Sequence, residues 1–126
     1  MKNWTVNAGE TLQRAQTKAY ESGHAELEPL HLLWSLLSET GLAGRALRSL
    51  EIDSRLVLET VERELASLPV VQVKEVPNPG RAFQQLVLEA QALAGKDAAM
   101  VGTRELLLAL AADRGRAGSL LQTFGV

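Results

Sequence analysis

An eight-residue stretch, residues 30–37 (LHLLWSLL), most constrains what this chain can fold into, because it is apolar on nearly every side of a helix. It is interrupted only by His31 and Ser35, which together with Ser38 fall at positions i, i+4 and i+7 and form one narrow polar stripe. A helix that is apolar around most of its circumference is buried, and a helix of this length is too short to span a membrane. The stretch therefore predicts a helix at the centre of a globular domain.

The same pattern returns at residues 105–110 (ELLLAL), which predicts a second copy of the unit that surrounds the first buried helix. At an offset of 74 residues, leucines, glycines and alanines of segment 32–52 recur in segment 106–126. Upstream the offset is 75, and alanines of the first helix recur in the fifth. We therefore expect an all-α fold: a pseudo-twofold duplicated four-helix repeat, the second repeat lacking its last helix.

Cap residues and prolines predict where the helices start. Thr5 is expected to cap a first helix that runs to about Ser22. Asn78 and Pro79 combine a cap with a proline at the first helical position, so a fifth helix is expected to start there, and Thr103 is expected to cap the sixth. The predicted division is a single domain over residues 1–126, with repeat 1 at 4–68, a linker at 69–79 and repeat 2 at 80–126.

The composition argues against several classes of partner. The 126 residues carry a formal net charge of −2, so no basic field attracts nucleic acid or anionic lipid. Cysteine is absent, which excludes disulfides and thiolate metal sites and fits a reducing cytosol. The first residues lack the apolar core of a signal peptide, and no run approaches the roughly 20 apolar residues that span a bilayer. We expect a cytoplasmic protein with neither a nucleic-acid nor a membrane partner.

The sequence also lacks the motifs of common catalytic sites. It contains neither the G-x-x-x-x-G-K-[ST] loop that holds nucleotide phosphates nor a G-x-S-x-G nucleophile elbow. His24, Glu28 and His31 are the only group that resembles metal ligands, but Pro29 interrupts helical continuity between the two histidines. We expect no enzyme, no cofactor and no metal, with His31 bonded to a nearby loop carbonyl. A small metalloenzyme built on these three residues is the less favoured alternative.

Four segments carry a resemblance to a known family: Gly23-His24, residues 28–37 (EPLHLLWSLL), Leu68-Pro69 and the second apolar run, ELLLAL. They resemble the Clp N-terminal domain, the double helical repeat that precedes the ATPase rings of Clp-type protein unfoldases. The pattern EPLHL followed by further leucines is most similar to the ClpB disaggregase branch. The resemblance covers nearly the whole chain. It implies a non-catalytic domain that binds unfolded or extended polypeptide, or an adaptor protein, for the ATPase rings.

The resemblance also implies three binding residues. Thr5 matches the threonine at the start of the family's first helix, and Val87 falls on a hydrophobic groove position of the fifth helix. Arg104 lies near the sixth-helix edge, where a large apolar side chain is usual, so it would make the groove more polar. Two simpler interpretations remain open, because Thr5 can be only a helix cap and Val87 only a core residue. A free-standing regulatory interaction protein with the same fold is the alternative function.

The missing last helix predicts an open apolar face. The second buried helix has no counterpart of the fourth-helix face that is expected to close the first one, which consists of Leu58, Val61, Leu65 and Leu68. Val70, Val71 and Val73 of the linker, the linker valines, could cover the gap. Alternatively, a second copy of the chain could cover it as a symmetric homodimer, or the open face could itself be the binding site. We favour cover by the linker valines, or by a partner chain.

Overall fold

A computed structural model describes residues 3–39, 41–95 and 100–126 of the chain. These ranges form seven helices and four two-residue strands, which confirms the all-α class. None of the helices in these ranges is long and apolar enough to cross a membrane. The elements in chain order are β1 (Asn3–Trp4), α1 (Val6–Glu21), β2 (Glu26–Leu27), α2 (Pro29–Ser38), α3 (Leu42–Ser49), α4 (Ser54–Ala66), β3 (Asn78–Pro79), α5 (Arg81–Ala94), β4 (Met100–Val101), α6 (Thr103–Ala111) and α7 (Arg116–Thr123).

The predicted central helix, α2, lies at the centre of the molecule. It packs against all six other described helices. Leu32 and Leu33 are fully buried, and Leu30 and Leu36 are 1% exposed. Burial of apolar side chains on this scale is the main source of stability in a domain of this size. The apolar run therefore forms the core that joins the two repeats.

The two repeats interlock through their short strands, which sequence analysis did not predict. β1 pairs in parallel with β4, and β2 pairs in parallel with β3, so each pair joins a strand from the first half of the chain to one from the second half. The N–H of Thr5 donates to the carbonyl of Val101 at 2.9 Å, and the N–H of Gly80 donates to that of Leu27 at 3.0 Å. Thr5 corresponds to Gly80 at the offset of 75, and Leu27 corresponds to Val101 at the offset of 74, so the two hydrogen bonds are equivalent. The exchange of strands is therefore reciprocal, as the pseudo-twofold duplication requires.

The helix starts at Thr5 and Thr103 differ in how they are capped. Thr5 is the N-cap of α1, and its hydroxyl accepts the N–H of Ala8 at 3.1 Å, which confirms the prediction. Thr103, in contrast, is the first residue of α6, and Gly102 is its N-cap. The carboxylate of Glu105 accepts the Gly102 N–H at 3.0 Å. A capping bond from the third helical residue therefore replaces the expected threonine cap.

The predicted start of α5 is wrong by two residues. Asn78 and Pro79 form β3, and the helix follows Gly80 as its N-cap. The reason is the strand pairing, since the N–H of Asn78 donates to the carbonyl of Ala25 at 3.1 Å. The predicted boundaries between repeats and linker remain a prediction. They also include residues 1, 2, 40 and 96–99, which lie outside the described ranges.

The expected open face over the second buried helix is closed over most of its area. Helices α1, α2, α3 and α5 pack against α6, and α7 packs against both α2 and α4. Leu106 and Leu110 of α6 are fully buried as a result. The prediction was wrong because each repeat was considered alone, whereas the first repeat covers the second. The reason for expecting a homodimer at this face is therefore lost.

The linker valines do not cover α6. Val70 and Val73 are 65% and 73% exposed. The linker instead follows the loop after α1, where the N–H of Val71 donates to the carbonyl of Gly23 at 2.8 Å. A Cβ at Gly23 would lie 2.8 Å from the Val70 side chain, so this approach requires glycine. The linker thus packs on the first repeat, beside the start of α2.

Candidate functional site

The N-terminal ends of α1 and α6 lie side by side. The N–H of Thr5 is bonded to Val101, the residue before the N-cap of α6. A Cβ on Gly102 would lie 3.6 Å from the Thr5 methyl group, so the two caps are in contact. Arg104, the second residue of α6, follows directly and is exposed. The structure therefore brings Thr5 and Arg104, two of the three predicted binding residues, to one edge.

Three residues that are near this contact in the chain carry exposed apolar side chains. Val6, Met100 and Leu108 are 76%, 45% and 41% exposed. Val6 follows Thr5 in the chain, and Leu108 lies one turn after Arg104 on the same face of α6. Grouped apolar side chains on a surface often mark an interaction site. We call this surface the α1–α6 edge; its residues are Thr5, Val6, Met100, Gly102, Arg104 and Leu108.

Arg104 adds a positive charge to the α1–α6 edge. Its guanidinium Nη1 lies 3.6 Å from Oε2 of Glu105, the residue that caps α6. Because the Arg104 side chain is mostly exposed, this ion pair contributes little to stability. The exposed arginine places a positive charge beside the apolar side chains of this surface.

Val87, the third predicted residue, stands apart. It lies on α5, is half-buried and packs against the core. Helix α5 contacts α6 and β4, so Val87 lies in the repeat that supplies the α6 side of the edge. The simpler interpretation, a core residue, therefore stays open beside the predicted one.

Sequence analysis missed Leu108 as a surface residue. It predicted an uncovered face over the whole second buried helix, whereas the structure buries Leu106 and Leu110 and leaves Leu108 41% exposed. The helical period places Leu108 about 200° from Leu106, on the opposite side of α6. The period gives this separation, but only the packing partners decide which side faces solvent.

The pseudo-twofold counterpart of the α1–α6 edge is closed. The position of Arg104 is occupied by Leu30, which is buried, and that of Glu105 by His31, which is fully buried. The two capping bonds still correspond, since Nδ1 of His31 accepts the N–H of Glu28 at 3.0 Å. At the Arg104 position, the described part of the chain is therefore exposed in the α1–α6 copy and buried in its counterpart.

The two histidines form a buried chain of hydrogen bonds instead of a metal site. Because Nδ1 of His31 is an acceptor, its Nε2 carries the proton and donates to Nδ1 of His24 at 2.8 Å. His24 also forms a hydrogen bond with the backbone of Leu65, at the end of α4. The predicted bond from His31 to a loop carbonyl is thus wrong. The pair connects the start of α2 to α4.

Burial keeps this histidine pair uncharged. Desolvation, and to a smaller extent the unfavourable approach of a second positive charge on His24, lower the pKa of His31 to about 4. Desolvation also lowers the pKa of His24, partly opposed by the Glu28 carboxylate. In the described part of the chain, no three His, Cys, Asp or Glu side chains gather as metal ligands.

Comparison with known proteins gives a consistent result. Residues 3–124 match the family described as the Clp repeat (R) N-terminal domain. The chain is 34% identical over 134 residues to the chaperone protein ClpB of Rhodopseudomonas palustris, covering 100% of this chain and 15% of that protein. The N-terminal domain of Hsp104 from Candida albicans superposes with a TM-score of 0.90 at 21% identity, covering 99% of this chain and 83% of that one.

A bacterial secretion ATPase has the same fold. The N-terminal domain of the ClpV1 ATPase from E. coli EAEC superposes with a TM-score of 0.84 at 20% identity. This match covers 98% of the chain and 78% of the solved domain. At such identities the likeness concerns the fold alone. The chain spans about 15% of the length of the curated relatives that it matches.

Proposed function

The chain belongs to the Clp repeat (R) N-terminal domain family, and we therefore propose that it is a non-catalytic domain of a Clp ATPase chaperone. In this proposal the domain binds unfolded or extended polypeptide, or an adaptor protein, and presents it to the ATPase rings. The absence of a phosphate-binding loop from the sequence supports the non-catalytic part. The absence of cysteine supports a cytoplasmic setting.

The observation that carries the proposal is the α1–α6 edge. Val6, Met100 and Leu108 offer apolar contacts to an extended chain without a pocket that would select one small molecule. Thr5 and Gly102 fix the two helix ends by hydrogen bonds, so the surface is formed before the client arrives. A preformed, mainly apolar surface suits weak binding of many different segments.

We expect Val6→Ser and Leu108→Ser each to weaken binding of fluorescein-labelled unfolded casein by about threefold or more, because each removes exposed apolar contact area. Fluorescence anisotropy during titration with the domain measures this affinity. The matched control is Leu56→Ser, since Leu56 on α4 is 52% exposed but lies away from the edge. Affinity should change less than about twofold between about 50 mM and about 300 mM salt.

Two outcomes would contradict the proposal. Equal affinity for all three variants would show that the α1–α6 edge is not the contact surface. A steep loss of binding with added salt would indicate recognition by charge. Arg104→Leu should raise the affinity for casein, because leucine enlarges the exposed apolar surface of the edge.

A further inference from the structure

A groove of about 740 Å³ lies between α5 and the corner where α6 turns into α7. It is at the opposite end of α6 from Arg104 and is therefore distinct from the α1–α6 edge. We call it the α5–α7 groove. Its lining includes the buried Leu86 and Ala109, the carboxylates of Glu89 and Asp113, and the exposed Arg81 and Arg114.

In the first repeat, the equivalent space lies between α1 and the end of α2 and is filled. There the guanidinium of Arg14, on α1, forms a salt bridge with Glu39 at the end of α2. The hydroxyl of Ser35 donates to the carbonyl of Thr11 at 2.8 Å and ties the same two helices together. An arginine of the chain itself thus fills the space between the helices.

The second repeat keeps the acid and loses the arginine. At the repeat offsets, Asp113 stands where the first repeat has Glu39, but Glu89 stands where it has Arg14. Leu86 and Ala109 replace the two hydroxyl residues that tie the first pair of helices. The groove therefore combines two carboxylates with an apolar base, in the position where the other repeat holds a guanidinium.

The carboxylates have capacity left for a cation. In the described part of the chain, no ion pair joins Glu89 or Asp113 to a basic group. Oδ2 of Asp113 accepts the N–H groups of Gly115 and Gly118 at 3.0 and 3.2 Å, which holds the carboxylate in a fixed position at the start of α7. Its other oxygen, Oδ1, has no hydrogen-bond donor among the described residues.

We propose that the α5–α7 groove binds one arginine side chain of a partner polypeptide, with its guanidinium between Glu89 and Asp113. The aliphatic part of that side chain would lie on Leu86 and Ala109. A planar guanidinium can donate to two carboxylates at once, which a lysine ammonium does less well. Because Arg81 and Arg114 flank the groove, the segment carries acidic neighbours beside its arginine, and polybasic segments are repelled. The inference rests on the proposed function only in that the partner is a polypeptide.

The test is calorimetric titration of the domain with a short capped peptide in which one arginine is flanked by leucine and glutamate. A second peptide carries citrulline, the neutral analogue of arginine, and a third carries lysine. We expect the arginine peptide to bind at least about tenfold more tightly than the citrulline peptide and measurably more tightly than the lysine peptide.

Protein variants locate the binding. Glu89→Gln should weaken the arginine peptide by about fivefold or more, while Glu62→Gln, at an exposed acid of α4, should leave it unchanged. In Glu89→Arg, the new side chain can form a salt bridge with Asp113, as Arg14 does with Glu39 in the first repeat. This change should close the groove and abolish peptide binding while the domain stays folded.

Failure of this inference differs from failure of the proposed function. Equal binding of the arginine and citrulline peptides, unchanged binding to Glu89→Arg, or no binding at about millimolar peptide would each overturn the groove assignment. None of these results depends on casein binding at the α1–α6 edge. Val6→Ser should leave the arginine peptide's affinity unchanged, and a loss there would assign the peptide to the edge and overturn the inference.

Discussion

Gly118→Ala is expected to destabilise the domain by about 3 kcal/mol or more, while Gly44→Ala is expected to stabilise it by roughly 0.5–1 kcal/mol. The two glycines occupy the same position of the duplicated unit, in α7 and α3. A Cβ on Gly118 would lie 1.7 Å from the carbonyl oxygen of Asp113, so the backbone of the α6–α7 corner would have to move. A Cβ on Gly44 meets nothing within 4 Å.

Urea unfolding followed by circular dichroism measures both changes. Gly44→Ala serves as the matched control, because it makes the same chemical change at the pseudo-twofold position. At that position only the helix propensity is altered, and alanine is the better helix former. Two variants of equal stability would contradict the described packing of the α6–α7 corner.

Lowering the pH from about 6.5 to about 4 is expected to remove about 3 kcal/mol of unfolding free energy through the buried histidine pair. The fold holds His31 uncharged, with its pKa lowered from 6.5 to about 4. The unfolded chain has the ordinary pKa, so within this interval it binds more protons than the folded chain. Stability therefore falls as the pH falls, and His24, whose pKa burial also lowers, adds to the loss.

The change His31→Gln isolates this contribution. A glutamine at the third position of α2 can still accept the Glu28 N–H, as in a capping box, but it does not titrate. We expect the variant to be less stable than the parent at neutral pH and to lose less stability between about pH 6.5 and about pH 4.5. Urea unfolding at several pH values measures the slope. Parallel slopes for parent and variant would show that His31 does not carry the acid sensitivity.

The sequence was sufficient for the large elements of the fold. The buried run of α2 and its echo in α6 follow from apolar side chains on all sides of a helix, and that signal does not depend on neighbours. The paired strands were missed because two residues, as in β1 or β4, are too few to show a period. The N-caps of α5 and α6, Gly80 and Gly102, were also missed. In both cases the residues before the helix pair as a strand, and this pairing determines where the helix starts.

The candidate site was predicted only in part, because exposure depends on packing between repeats. Thr5 and Arg104 came together because the strand exchange joins the start of α1 to the start of α6. Leu108 was missed because an apolar run does not show which of its sides a neighbouring helix leaves free. The α5–α7 groove had a signal in the sequence that was not used: the charge changes from Arg14 to Glu89 at equivalent positions.

A nuclear magnetic resonance titration tests directly whether this domain binds extended polypeptide at the α1–α6 edge. The ¹⁵N-labelled domain is titrated with unlabelled unfolded casein, and amide shift changes are followed residue by residue. We expect saturable changes concentrated at Val6, Met100, Gly102, Arg104 and Leu108, with little change in α3 and α4. No change at about millimolar client, or changes confined to α3, α4 or the linker, would contradict it.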